Sequence, residues 1–173
     1  MMYWIHPDHP DADHIFYSRL RQLTAKYNKN HDPLAFICVG SPLLLGDCLG
    51  PVIGTILTQN HCRRVYGTLD RPVHALNLSK ACLRLKEGER RPFVIAIDAA
   101  LGTSAQTGYI TIKKGPLFPG KGVGKKLPPV GDIQVTGVFE DLDAPAAAHM
   151  LVRFGRCISA GLLQLDTAFQ SPQ

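Results

Sequence analysis

The architecture predicted for this sequence rests on the segment Leu34-Ala-Phe-Ile-Cys-Val-Gly40 and, a short loop later, on Gly46-Asp-Cys-Leu-Gly-Pro51. A brief, continuously apolar run that ends at glycine is typical of a strand buried on both faces of a sheet. After it, apolar residues recur at helical spacing, and Pro51 is tolerated in a first helical turn. These residues are Leu49, Val52, Ile53, Ile56 and Leu57. The sequence therefore predicts a buried strand that leads directly into a helix.

A second buried strand, Phe93-Val-Ile-Ala-Ile-Asp98, has the same apolar pattern and ends in an acid. Helices are predicted over residues 11–29, 49–57, 78–86 and 147–165, and further strands over 64–66, 73–76, 108–113 and 133–138. The strand at 108–113 alternates between apolar and polar residues in the manner of an edge strand. Strands that alternate with helices imply an α/β fold with a mostly parallel sheet between layers of helices.

The chain has 173 residues, which is the size of one ordinary domain. We therefore predict a single α/β domain over residues 1–173, with residues 1–30 as an N-terminal helical extension. Hydrophobic residues make up 45% of the chain and charged residues 19%, which excludes a disordered or a fibrous protein. A chain of this kind is expected to fold alone or as a homo-oligomer.

The apolar runs are too short for a membrane protein. The longest, at residues 34–40 and 92–100, fall far below the ~20 residues that a membrane-spanning helix needs. The N-terminus also lacks the basic segment followed by an apolar stretch that marks a secretory signal. These features predict a cytoplasmic protein without a membrane partner.

The cysteines and the net charge exclude several other classes. Five scattered cysteines without a C-x-x-C spacing argue against a disulfide framework and against a zinc ribbon. The net charge of +5 and the pI of about 9.0 permit attraction to an acidic partner but do not name one. We therefore predict neither a resident cofactor nor direct binding of nucleic acid.

Two aspartates are placed where an α/β protein usually carries its chemistry. Asp47 lies at the start of the first core helix, and Asp98 directly follows a buried strand. Ligands of parallel sheets bind beyond the carboxyl ends of the strands, so neighbouring strands would bring the two carboxylates face to face. Such a pair cannot readily ionise twice, and it can act as general base and general acid on a bound water. This chemistry suits hydrolysis of an amide bond.

Other interpretations of these two acids remain open. Asp47 could be a helix N-cap, and Asp98 could accept hydrogen bonds from a loop and do nothing more. The pair could also hold a divalent metal, for which a transition metal would require a nitrogen or sulfur ligand as well. His74 is the best-placed candidate for that third ligand.

A glycine-rich and lysine-rich segment lies between the last two predicted strands. Gly115-Pro-Leu-Phe-Pro-Gly-Lys-Gly122 matches the phosphate-binding pattern G-x-x-x-x-G-K, but Gly122 replaces the serine or threonine that would reach magnesium. The prolines also remove N–H groups that a phosphate cradle uses. We interpret the segment as a basic loop over the crevice, in which Lys121 and Gly122 contact substrate. The alternative is an ordinary solvated loop.

Several motifs, taken in order, closely resemble the YyaC family of bacterial sporulation proteins. They are Gly46-Asp-Cys-Leu-Gly-Pro51, the segment from Val65 to Asn77, Ile95-Ala-Ile-Asp-Ala-Ala-Leu-Gly102, Gly108-Tyr-Ile110 and the segment from Pro119 to Pro128. The resemblance covers roughly residues 34–165 and leaves out the helix before residue 30. This chain departs from the usual family pattern at Pro42-Leu-Leu-Leu45, where polar residues are the rule.

That family is similar to the germination protease of spore-forming bacteria, which degrades small acid-soluble spore proteins, and more remotely to the hydrogenase-maturation endopeptidases. The resemblance implies a three-layer α/β/α sandwich and carries the two aspartates of the germination protease over to Asp47 and Asp98. In the maturation enzymes the matching acids help to bind nickel together with a histidine. This sequence has no convincing match for that histidine, so nickel is not implied.

The sequence and the resemblance together lead to one main expectation and two alternatives. The main expectation is a cytoplasmic endopeptidase of a spore-forming bacterium, in which Asp47 and Asp98 activate water and spore proteins are the substrate. The first alternative is a catalytically inactive protein that keeps the peptidase fold and binds a peptide or partner during sporulation. The second is a metal-dependent peptidase.

Overall fold

The computed structural model of the protein describes residues 1–88, 90–119, 127–141 and 145–170. Within those residues the chain forms a six-stranded sheet and four α-helices. The strands are β1 (Met2–Ile5), β2 (Leu34–Cys38), β3 (Val65–Tyr66), β4 (Phe93–Leu101), β5 (Ile110–Lys114) and β6 (Ile133–Phe139). The helices are α1 (Ala12–Tyr27), α2 (Leu49–Gln59), α3 (Leu78–Arg84) and α4 (Pro145–Gln170), with a 3₁₀ turn at Gly46–Cys48 before α2. The predicted α/β class is confirmed.

The sheet is mixed, in the order β1-β5-β6-β4-β2-β3. Strands β6, β4, β2 and β3 pair in parallel, while β5 pairs antiparallel with both β6 and β1. The strand predicted at the edge over residues 108–113 is therefore interior, because β1 covers its outer side. Residues 1–30 hold this strand β1 as well as the expected helix.

The strand predicted over residues 73–76 is wrong. Only Val73 makes a bridge, to Val39, and the chain then turns into α3. The cause is the side chain of Asn77, whose Oδ1 accepts a hydrogen bond from the His74 N–H at 2.8 Å, while its Nδ2 donates to the carbonyl oxygen of Pro72 at 2.9 Å. Such side-chain bonds compete with pairing to a neighbouring strand.

Two hydrophobic clusters cover the two faces of the sheet. Alternate residues of β4 point to opposite faces, so Ile95 and Ile97 join one cluster while Val94 and Ala96 join the other. The first cluster holds the buried faces of three helices, with Phe16, Leu20 and Leu23 of α1, Leu49, Ile53 and Leu57 of α2, and Phe154, Ile158 and Leu162 of α4. The second holds Leu78 and Ala81 of α3. None of the helices within the described residues has both the length and the apolar character needed to cross a bilayer.

Glycines let helix α2 lie directly against the carboxyl end of β2. A Cβ atom at Gly50 would come within 2.0 Å of the Val39 carbonyl oxygen, and one at Gly54 within 1.8 Å of the Gly67 carbonyl oxygen. No side chain can occupy that space. The Gly-x-x-x-Gly spacing in the first turns of α2 therefore fixes how the helix follows the strand.

Replacing Gly50 with alanine is expected to destabilise the fold, because the added methyl must push main-chain atoms apart. Overpacking of this kind typically costs roughly 1–3 kcal/mol. Urea unfolding followed by circular dichroism measures the loss. The matched control is Gly155→Ala in α4, where the new Cβ would meet only Val52 Cγ1 at 3.9 Å. That variant should be at least as stable as the wild type, and equal losses in both variants would contradict the proposed main-chain contact.

Candidate active site

Both predicted aspartates lie at the carboxyl edge of the parallel strands. Pairing between β2 and β4 ends at Cys38 and Ile97, and Asp98 is the next residue of β4. Asp47 lies in the 3₁₀ turn at the end of the β2–α2 loop. Both carboxylates are partly buried and line one cleft. The structure thus brings together the two acids that the sequence singled out.

Asp98 holds its proton more tightly than an ordinary aspartate. Burial raises the pKa of its carboxyl group well above the usual value, and the negative charge of Asp47 raises it further. A hydrogen bond from the Ala99 N–H to Oδ1, at 2.9 Å, acts in the opposite direction and favours the charged form. The influences that raise the pKa outweigh this hydrogen bond, so Asp98 is the acid of the pair that keeps its proton to the higher pH.

Asp47 has the more polar surroundings of the two. Burial raises the pKa of Asp47 as well, but a hydrogen bond from the Ser41 main-chain N–H and the nearby imidazole of His74 lower it. The same Ser41 N–H donates to the Asp47 carbonyl oxygen at 3.2 Å, which fixes the turn. When the pair holds a single proton, that proton therefore resides mainly on Asp98, and Asp47 carries the charge.

The alternative that Asp47 caps a helix is wrong. The N-cap residue of α2 is Cys48, and no side-chain hydrogen bond caps either this helix or the preceding 3₁₀ turn. Within residues 1–88, 90–119, 127–141 and 145–170, the Asp98 carboxylate accepts a hydrogen bond from the Ala99 N–H of its own strand and none from a loop, so the loop-bonding alternative is not seen there. Neither carboxylate therefore caps a helix.

His74 is held beside the pair by its own turn. Its Nδ1 accepts a hydrogen bond from the Leu76 N–H at 3.3 Å, which holds the orientation of the ring. The ring lines the cleft and is close enough to Asp47 for its charge to lower the pKa of that acid. Across residues 1–88, 90–119, 127–141 and 145–170, however, no three His, Cys, Asp or Glu side chains form a group that could hold a metal ion.

The cleft has a volume of about 780 Å³. Its polar lining includes Asp47, Asp98, His74, Thr111, Lys113, Gln134 and Thr136, and its apolar lining includes Trp4, Leu44, Leu117, Phe118 and Leu127. A cleft of this size accommodates several residues of a peptide or a drug-sized molecule. The predicted substrate residues Lys121 and Gly122 lie outside the described residues, although Pro119 and Leu127, which flank them in sequence, both border the cleft.

Sequence reasoning missed the part of the cleft that β5 and β6 form. Two segments of the sequence indicate this part of the cleft, because polar residues alternate in them with buried isoleucine and valine. They are Ile110-Thr-Ile-Lys113 and Ile133-Gln-Val-Thr136. Threonine, glutamine and lysine at every second position of interior strands mark a sheet face that no helix fills. Trp4 was missed as well, because the pairing of β1 with β5 joins distant parts of the chain.

The fold and the site define a class: a mixed α/β protein with a partly buried carboxyl pair at the carboxyl ends of its parallel strands. Within that class, the chain belongs to the family described as "Protein of unknown function (DUF1256)", whose model matches residues 5–156. It is also 41% identical over 126 residues to the Bacillus subtilis (strain 168) protein named "Uncharacterized protein YyaC". That alignment covers 72% of this chain and 58% of the relative, so the match spans little more than half of the relative's length.

These matches confirm the resemblance to the YyaC family. They also correct its expected extent, because the family model begins at residue 5 and therefore includes α1, which the sequence motifs had left outside. The helix is part of the family's fold, in agreement with the burial of Phe16, Leu20 and Leu23 in the main core.

The raised pKa of Asp98 predicts how the stability of the fold depends on pH. A carboxyl group with a higher pKa in the folded state stabilises the fold at acid pH, and this stabilisation is lost as the pH rises through the folded-state pKa. Asp98→Asn cannot ionise and should therefore be more stable than the wild type at pH 8, by more than about 1 kcal/mol. The difference should vanish below the unfolded-state pKa of ~3.9.

Urea unfolding at both pH values measures this difference. Asp132→Asn is the control, because Asp132 pairs with Arg91 and accepts a hydrogen bond from the Val94 N–H at 2.9 Å, so its removal should destabilise the protein at pH 8. An Asp98→Asn variant that is less stable than the wild type at pH 8 would contradict the site described above.

Proposed function

We propose that this protein is an endopeptidase of the germination-protease type, whose aspartate pair activates water for attack on a peptide carbonyl. The observation that carries the proposal is the pair of partly buried carboxyl groups at the wall of a cleft of about 780 Å³, where burial raises the pKa of both and the charge of Asp47 raises that of Asp98 further. Perturbed carboxyl groups in a cleft are a recurrent mark of catalytic sites.

In the proposed reaction, one acid accepts a proton and the other donates one. Asp47 takes a proton from the bound water while the water oxygen bonds to the carbonyl carbon of the peptide. Asp98 gives its proton to the nitrogen of the breaking C–N bond. The products are a carboxylic acid and an amine. Transfer of the proton from Asp47 to Asp98, directly or through a new water, restores the starting state.

The arrangement of helices supports the same assignment. Helices α1, α2 and α4 pack on one face of the sheet, and α3 packs on the other. We take this arrangement to be the three-layer sandwich that the resemblance to the germination protease implies. The resemblance also supports a site of action in the cytoplasm of a spore-forming bacterium, with small acid-soluble spore proteins as candidate substrates.

A second candidate function is peptide binding without cleavage, and the loop before Asp47 favours it. Leu43 is 88% exposed, and Leu44 and Leu45 are exposed as well, so the mouth of the cleft offers an apolar surface to a partner. An exposed apolar segment of this kind marks an interaction site whether or not chemistry follows. The two candidate functions differ only in whether the carboxyl pair cleaves the bound peptide.

Cleavage assays with matched variants distinguish these functions. The substrate is spore-protein extract, and the variants are Asp47→Asn, Asp98→Asn and, as a control, Asp70→Asn on an exposed turn. We expect the wild type and the Asp70 variant to produce the same fragments, and both site variants to lose at least about 100-fold in rate, as for the loss of a general acid or base. Fragments are identified by mass spectrometry, and folding is checked by circular dichroism.

Two outcomes would overturn the proposed peptidase. The first is equal cleavage by the wild type and by the folded site variants. The second is the absence of fragments with every variant between pH 4 and pH 9, with and without divalent metals. In that second case, retention of spore proteins on the immobilised wild type would support the binding function.

The dependence of cleavage on pH gives a further prediction. The value of kcat/KM should rise as Asp47 ionises and fall as Asp98 loses its proton, which produces a bell-shaped profile. Because the charge of His74 lowers the pKa of Asp47, His74→Gln should move the acid limb of the profile to higher pH. An acid limb that stays in place in this variant, or moves to lower pH, would contradict the assignment of Asp47 as the base.

A further inference from the structure

One edge of the sheet is open along strand β1. This strand stands at the end of the sheet order and pairs with β5 alone. Every second residue of an edge strand turns its N–H and C=O groups away from its neighbour. Across residues 1–88, 90–119, 127–141 and 145–170, no hydrogen bond joins the outward groups of Met2–Ile5 to another part of the chain. These groups can therefore bond to a further strand.

The edge at β1 lacks the features that usually protect an edge strand. Proteins blunt such edges with charged side chains, proline, a bulge or a very short strand. Strand β1 consists of four apolar or aromatic residues in unbroken register with β5. The opposite edge is protected, because β3 has only two residues and directly follows Arg63 and Arg64. Of the two edges, β1 is therefore the one suited to pairing.

Exposed apolar surface lies beside this open edge. Met2 is 44% exposed and Trp4 is 43% exposed, and both lie on the face of the sheet that carries the cleft. The Tyr109 ring meets the Trp4 ring edge to face at 6.1 Å, which holds the indole at the rim of the sheet. Burial of apolar surface drives the association of proteins. A strand added to β1 would cover both side chains.

Helix α1 follows the same edge on the other face of the sheet. The Tyr3 hydroxyl oxygen lies 3.3 Å from Gln22 Oε1, and the Arg19 guanidinium lies 5.1 Å from the centre of the Tyr3 ring. The middle of α1, near residue 20, is therefore level with the middle of β1. A twofold axis between two antiparallel copies of β1 would also place two copies of α1 side by side and antiparallel.

The outer side of α1 is self-complementary about such an axis. Successive residues of a helix turn by about 100°, so one row along this side contains Asp11, Ser18, Gln22 and Lys29. All four residues are exposed. In an antiparallel pair centred near residue 20, Asp11 lies opposite the partner subunit's Lys29, and Ser18 lies opposite the partner subunit's Gln22. Opposite charges therefore meet at both ends of the helix pair.

The dimensions of this edge predict a dimer of moderate affinity. Strand β1 covers about 14 Å of the edge, and α1 covers about 24 Å. Two layers, each about 10 Å deep, give a contact on the order of 500 Å² per subunit, somewhat below the ~800 Å² of a standard interface. A contact of this size, with an apolar strand and two charge pairs, fits a micromolar Kd.

We propose that two copies of this chain pair antiparallel along β1 and form a twofold-symmetric dimer, in which the two six-stranded sheets become one continuous sheet. A twofold contact of this kind closes on itself, whereas pairing of β1 with β3 of the next copy would continue into a filament. Because Trp4 borders the cleft, the partner's β1 lies at the far end of each cleft. The inference does not depend on the proposed peptidase activity.

Sedimentation of the wild type measures the proposed equilibrium. We expect the protein to pass from monomer to dimer between about 1 and about 300 µM. Trp4 is the single tryptophan of the chain, so its fluorescence reports on this edge alone. The emission should move to shorter wavelength over the same concentration range, because the partner subunit shields the indole from water.

A charge placed on the edge tests whether β1 forms the contact. Trp4→Lys brings two like charges together beside the twofold axis and removes apolar contact, so it should weaken dimerisation at least about tenfold. The matched control is Leu83→Lys, which adds the same charge at a side chain that is 65% exposed on α3. Helix α3 packs over β2 and β4, away from β1, so this variant should keep the Kd of the wild type.

An exchange of charges tests the twofold arrangement of α1. Asp11→Lys and Lys29→Asp should each weaken the dimer about threefold or more, because each variant sets like charges against each other at both ends of the helix pair. The variant with both changes restores opposite charges and should recover most of the affinity. No side-chain hydrogen bond from Asp11 caps α1, so its replacement removes no cap. Circular dichroism and urea unfolding establish that each variant is folded.

Three outcomes would overturn the proposed dimer. The first is a wild type that stays monomeric up to about 300 µM. The second is a dimer whose Kd is unchanged in folded Trp4→Lys and in the single charge variants, which would assign the contact to another surface. The third is a monomer whose Trp4 fluorescence responds to an added extended apolar peptide, which would assign the edge to a strand of a different protein.

Discussion

The position of Asp47 beside Asp98 depends on one steric constraint, the main-chain contact between helix α2 and the end of β2. Gly50 lies against the Val39 carbonyl group, and the positive φ of Gly40, +147°, brings the chain to within contact of the Asp47 carbonyl oxygen. Any side chain at these positions would push the 3₁₀ turn away from the sheet. Because the turn stays close, Asp47 reaches the cleft beside Asp98 at the end of β4, and the two carboxylates interact.

That proximity has an electrostatic consequence. Two acids in a partly buried site share one proton, and their neighbours decide where it resides. In the part of the chain that the structure describes, Asp47 has a main-chain N–H and an imidazole nearby, whereas Asp98 has one N–H donor and the charge of Asp47 itself. In the proposed reaction, this asymmetry makes Asp47 the base and Asp98 the acid. A buried carboxyl group with a raised pKa also lowers the stability of the fold at neutral pH.

The sequence was most informative where local pattern alone determines structure. Continuous apolar runs located β2 and β4. The acids that follow these runs, Asp47 after a short loop and Asp98 directly, marked the candidate site. It failed where distant residues decide. Strand β1 (Met2–Ile5) pairs with β5 (Ile110–Lys114), which lies far along the chain, so neither the interior position of β5 nor the place of Trp4 was visible. The turn at residues 73–76 depends on the Asn77 side chain, which apolar pattern does not register. Lys121 and Gly122 stay predictions, since they lie outside the described residues.

The central claim is that Asp47 and Asp98 form one coupled pair, and direct titration of their carboxyl groups tests it most closely. The ¹³C chemical shifts of the aspartate side chains, followed by NMR from pH 2 to pH 9, report each pKa in the folded protein. The account predicts that Asp98 titrates well above ~3.9, the ordinary value for aspartate, and that its pKa falls when Asp47 is replaced by asparagine. Titration of Asp98 near ~3.9, with no change in the Asp47→Asn variant, would contradict the account.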